Sequence, residues 1–276
     1  MKYLIVVVVV LLSIPVFAQS DLEYLNKNAV VVNNPKQLSD SVYDLLSPYK
    51  SILFGEMHGT NESAPFVYGL ATLFAKHGDS VLVGLEIPSR SMNAFKEQNT
   101  DGSIFQSDFF AHPPYQSGKE SVAWAQLISK LKNNALVKLF FFDINADDPS
   151  GFRDSLMYQN IKNEQLKHPN YKLITLSGNY HNRLNTANNL YDYFIRDTSS
   201  SLSKNICTLN MEYKEGSANA NFNKGLEIKQ LGSYPSIYNS QPNLEKYLLL
   251  FSNNAEYQYN GFYFVKTITP ASMTGH

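Results

Sequence analysis

The chain has 276 residues, 43% hydrophobic and 17% charged, so it can bury a sizeable core and is not globally disordered. A formal charge of -1 gives no electrostatic case for nucleic acid or an anionic membrane surface as partner. The single cysteine, Cys207, excludes an intramolecular disulfide, and its apolar surroundings make it a buried small hydrophobe rather than a nucleophile.

In chain order, Lys2, the apolar run 4–17 and the small-x-small pattern Val16-Phe17-Ala18 read as a secretory signal peptide over residues 1–18. The run is shorter than the ~20 apolar residues of a membrane span. No later stretch reads as transmembrane, and no cysteine follows the cleavage point to carry a lipid. The expected product is secreted or periplasmic, without an integral membrane segment. Residues 19–34 read as a flexible lead-in and 35–276 as a single domain.

Apolar spacing at Leu38, Val42, Leu45 and Leu46 predicts a helix within 35–50. "SILFGE" (51–56) reads as a buried strand. A stripe at 66, 67, 70, 73 and 74 predicts a helix over 62–78, with Gly78 as its C-terminal cap. "SVLVGLEIP" (80–88) is a second strand, followed by a helix from Ser89 to about Gln98. Residues 99–118 show no period and carry Gly, Pro, Ser and aromatics; so long a loop reads as a lid. A helix over 119–134, a strand over 137–145, a helix within 149–169 and a strand over 171–182 continue the alternation. A helix near 184–196 follows, then strands at "ICTLNMEY" (206–213) and "GFYFVKTITP" (261–270). The pattern predicts an α/β fold: a largely parallel central sheet, open to mixed pairing after residue 200, with helices on both faces.

In such sheets ligands bind in the crevice outside the carboxyl ends of the strands. Four predicted strands end in ionisable residues: Glu56 with His58, then Glu86, Asp143 and His181. Singly, each has an ordinary reading as a cap, a loop imidazole or a turn residue. Their shared placement is what predicts a site. A histidine is the natural general base near neutral pH, and a neighbouring carboxylate fixes its tautomer. A second imidazole, or a carboxyl raised by burial, would supply a proton to a leaving group. The competing chemistry is a divalent metal on His58, His181 and Glu86 with an open position for water. The spacing leaves both open, since neither HExxH nor a Cys/His zinc pattern is present.

"FGEMHGTNE" (54–62), "LEIP" (85–88), "FRDSLMYQNI" (152–161), "LSGNYHN" (176–182) and "NGFYFVKTITPA" (260–271) occur in that order. The set resembles the erythromycin esterase-like, ChaN-like and Tiki-like superfamily across most of residues 50–270. The resemblance implies that His58 activates water and that Glu56 and Glu86 are the carboxylates around it. It further implies that His181 is a second imidazole facing the cleft, and that Arg153 binds an anionic group or an oxyanion. Asp143 joins the catalytic set. Glu62 sits close enough to orient His58, and Tyr115 and Tyr180 are ligand-binding candidates. Members differ in activity, being macrolide esterases, metal-dependent protease-like proteins or haem-binding uptake proteins. The first expectation is therefore an exported hydrolase of an ester or amide in a small molecule or peptide, with or without a metal. The alternatives are a ChaN-like binder of haem or a small ligand, and a catalytically degenerate interaction module.

Overall fold

The computed structural model describes residues 23–92, 108–111, 117–222, 225–232, 244–251 and 257–274. The signal peptide, Tyr115 and most of the predicted lid lie outside these residues, as does the predicted helix beyond Met92. Among the described residues no helix is long and apolar enough to cross a membrane.

The predicted alternation is present. Strands β1 (Val30–Val31), β2 (Ser51–Glu56), β3 (Val81–Pro88), β4 (Val137–Asp143), β5 (Lys172–Gly178) and β6 (Ile206–Asn221) come first. They are followed by β7 (Leu226–Leu231), β8 (Lys246–Leu250) and β9 (Gly261–Ile268). Between them run α1 (Asp40–Leu46), α2 (Ser63–Lys76), α3 (Val122–Leu131), α4 (Arg153–Lys167) and α5 (Leu190–Arg196). All belong to one sheet of order β1-β8-β9-β6-β2-β5-β3-β4, with β7 hairpinned onto β6. The run from β9 to β4 is parallel throughout, and β8 and β1 add antiparallel at the far side. The sheet is thus α/β and mostly parallel, with mixed pairing confined to elements after residue 200 and to β1.

Central strands are buried on both faces, which is why they read as unbroken apolar runs. Phe54, Val83, Leu85 and Ile174 pack with α2 and α3 on one face, where Phe66, Leu70, Trp124 and Ile128 meet them. Leu53, Leu82, Phe142 and Leu173 pack on the other against Met157 and Ile161 of α4 and Phe194 of α5. Each fully buried Leu, Ile or Phe contributes about 1.5–3 kcal/mol relative to exposure.

Several boundaries differ from expectation. Part of the 19–34 lead-in is structured: Val30 and Val31 pair with Leu248 and Tyr247, and Leu25 is fully buried beside Phe262 and Phe264. Two paired residues are too short to give a periodic signal. β6 runs on past Tyr213 to Asn221, and its last residues, Gly216 to Asn221, pair with β7. This hairpin braces the loop after β2. The Gly59 carbonyl accepts from Asn219 N–H (2.9 Å) and Ala271 N–H (2.8 Å). Gly59 has φ of 79°, and a Cβ there would fall 2.1 Å from the Asn219 carbonyl oxygen. Only glycine tolerates both demands.

Candidate active site

The parallel register carries the predicted residues to one edge. Glu56 pairs with Gly178 at the ends of β2 and β5, and Pro88 pairs with Asp143 at the ends of β3 and β4. His181 lies not on β5 but in the single 3-10 turn Asn179–Asn182 that follows it. Arg153 opens α4, directly after another 3-10 turn.

Glu86 is the hub. Its Oε1 accepts from Lys119 Nζ (2.9 Å) and Arg153 Nη2 (2.5 Å), and its Oε2 from the Gly178 N–H (2.6 Å). His58 Nε2 stands 3.6 Å from Oε2 and His181 Nε2 stands 3.8 Å from Oε1. Asp143 is bound in parallel: Arg153 donates Nε and Nη2 at 2.9 Å each, and Lys119 donates at 3.1 Å. On the other side of His58, Nδ1 lies 2.8 Å from Glu56 Oε1, while the Trp124 indole N–H reaches Glu56 Oε2 at 3.4 Å. His181 Nδ1 approaches Asp154 Oδ1 at 2.6 Å, a close contact without hydrogen-bond geometry.

Gly178 makes this packing feasible. A Cβ there would sit 3.0 Å from His58 Nε2, so a side chain would push the imidazole off Glu86. The same residue's amide anchors Glu86, so one backbone position sets two members of the site.

Burial would lower the His58 imidazole, but the Glu86 charge and the hydrogen bond to Glu56 outweigh it and lift the ring to about 9. Burial pushes the Glu56 carboxyl upward, and its bond to His58 holds that rise back. Burial acts the same way on Glu86, yet Lys119 and the imidazoles hold it well below the carboxylate range. For Asp143 too, Lys119 and Arg153 overcome burial and lower the carboxyl. Lys119 and Arg153 are raised in turn, their carboxylate partners overcoming desolvation. At neutral pH Glu86, Asp143, Lys119 and Arg153 therefore carry their charges, and His58 is held as an imidazolium beside Glu86.

Beside it lies a cleft of about 430 Å³. His58, Glu86, Lys119, Asp143 and Arg153 line it, together with Ile144, Asn145, Ala146, Asp148 and Ser150.

The structure thus brings Glu56, His58, Glu86, Asp143, Arg153 and His181 together. Two further residues stand elsewhere. Glu62 accepts from the Thr269 amide (3.0 Å) and hydroxyl (2.7 Å), tying the start of α2 to the chain after β9 rather than orienting His58. Tyr180 turns its ring outward, 56% exposed, beneath the Arg183 guanidinium. Lys119, Trp124 and Asp154 are members that sequence reasoning missed. The one available signal for Lys119 was a charged residue opening an otherwise apolar helix stripe, which reads equally well as a solvated cap.

The proposed metal set does not fit. Both oxygens of Glu86 are occupied by donors, and Lys119 with Arg153 supplies the positive charge a divalent ion would bring. Among the described residues no three His, Cys, Asp or Glu side chains are arranged to hold a metal.

No protein-family model matches the sequence, and no curated protein matches it. Solved structures do. A Bacillus cereus protein aligns with TM-score 0.68 and 10% identity, covering 93% of this chain and 99% of its own. A succinoglycan biosynthesis protein aligns with TM-score 0.63 and 10% identity over 92% of this chain and 98% of its own. Erythromycin esterase EreC in its open conformation aligns with TM-score 0.60 and 10% identity over 88% of this chain and 97% of its own. The chain shares its fold with these three proteins. At 10% identity the likeness concerns the fold, and the chemistry rests on the site itself.

Proposed function

We propose that this chain is an exported hydrolase that directs water onto an ester or amide carbonyl. The observation that carries the reading is the Glu56–His58–Glu86 line, set against a cleft and flanked by Arg153. In the active form, reached when the imidazolium loses its proton, His58 keeps the Nδ1 proton bonded to Glu56 and presents Nε2 as the base. Nε2 takes a proton from water as the oxygen attacks the carbonyl carbon. Glu56 and Glu86 stabilise the imidazolium that forms. Arg153, whose guanidinium lines the cleft, stabilises the tetrahedral oxyanion. The imidazolium then returns its proton to the leaving alkoxide or amine. Glu86, saturated by donors, serves as a fixed anion and not as a nucleophile.

The haem alternative has less support. His58 Nε2, the nitrogen an iron would take, faces Glu86 at 3.6 Å, and His181 is a buried ring against Asp154 and Glu86. No observation among the described residues favours a porphyrin.

The test is hydrolysis of p-nitrophenyl acetate and an acyl anilide by purified protein, beside Glu56→Gln. The variant is expected to lose ~10²-fold or more in kcat and to titrate its base at lower pH, since an anion next to the imidazolium is gone. Equal rates and an unchanged profile would remove Glu56 from the mechanism.

A further inference from the structure

Arg153 belongs to two clefts. Besides the one at His58, a second of about 420 Å³ runs along the start of α4, and the two share Ser150 and Arg153. A ligand long enough to fill both must cross Arg153, next to the reacting imidazole. We propose that the second cleft holds a polyhydroxylated ring, the glycan portion of an ester substrate whose acyl group lies beside His58. This deepens the hydrolase reading and rests on it for the ester, though not for the ring.

The chemistry of the walls favours this class. Phe152 is 66% exposed at the rim, and Tyr193 lines the cleft from α5. A flat exposed ring is a stacking platform for the C–H face of a sugar. Ser150, Ser155 and Asn188 supply neutral donors and acceptors suited to hydroxyl groups. The charges present are already answered: Arg153 by Asp143 and Glu86, and Asp154 by its contact with His181. A phosphate or nucleotide would need more positive charge than the single Arg153, already balanced by two carboxylates, provides, and a long alkyl chain would need a continuous apolar wall. The His58 cleft, by contrast, has Ile144 and Ala146 in its lining, apolar side chains that an acyl group can contact.

The probe is xylohexaose, titrated calorimetrically into the full chain and into Phe152→Ala. Binding to the parent, weakened roughly three- to tenfold in the variant, is expected from the loss of one stacking partner. Absence of binding, or equal affinity in both proteins, overturns the assignment. A parallel assay compares acetylated xylo-oligosaccharide with p-nitrophenyl acetate. Cleavage of both supports the glycan ester, whereas cleavage of p-nitrophenyl acetate alone counts against it. If the hexaose binds as expected while neither ester is cleaved, the hydrolase reading fails and the ring site stands.

Discussion

His58→Asn is expected to cut kcat by about 10²–10⁴, the range a positioned general base supplies. Its far-UV circular dichroism should match the parent. Asparagine is the informative choice because its amide can still donate to Glu56, leaving that buried carboxylate partnered. What it cannot do is take a proton. A variant that folds and keeps the parent's rate would show that Nε2 is not the base. The loss should fall on kcat more than on KM, since the proton moves only in the transition state.

Lys119→Met is the second large effect, and it falls on stability. The ammonium is 7% exposed and bridges Glu86 and Asp143. Removing one partner from a buried ion network costs about 3–5 kcal/mol. Arg153 stays on both carboxylates here, which puts the expected loss near the lower figure, about 3 kcal/mol. For a domain of this size that lowers Tm by about 6–12 °C. A thermal melt checks it, and a Tm within about 2 °C of the parent would mean that Lys119 adds nothing to the network. Lys119→Arg should recover part of the loss by restoring the charge.

The central architecture was legible because parallel strands buried on both faces leave unbroken apolar runs, and those of β2, β3 and β4 stop at or near an ionisable residue. Glu56, Glu86 and Asp143 could be placed at one edge by topology alone. His181 was read as the end of the fourth strand and lies one short turn beyond it, on the same edge. What the sequence could not show is which side chains answer which charges. Lys119 reaches Glu86 from 33 positions away, and no local pattern encodes that meeting. Glu62 misled for the opposite reason. Four residues from His58, it is drawn to Thr269, whose partnership is set by the last strand of the sheet. The weak elements were also silent. β1 spans two residues, and β7, with Leu226 and Leu231 half-buried and four exposed residues between them, has no core-facing alternation to read.

The network also bears on metal chemistry. A set of two histidines and a carboxylate invites a cation, and the fold supplies two, on Lys119 and Arg153. With the charge of Glu86 met by side chains, the free base in the centre is His58, and its protonation state governs the whole proposal.

That makes the pH dependence of kcat/KM for p-nitrophenyl acetate the most direct measurement. The profile of the free enzyme reports the base that must be unprotonated. With His58 lifted to about 9, only ~1% of the ring is neutral at pH 7. The rate should therefore climb about tenfold per pH unit through neutrality and level off above about 9. A profile that is flat, or that levels off below pH 7, would contradict a base held between Glu56 and Glu86.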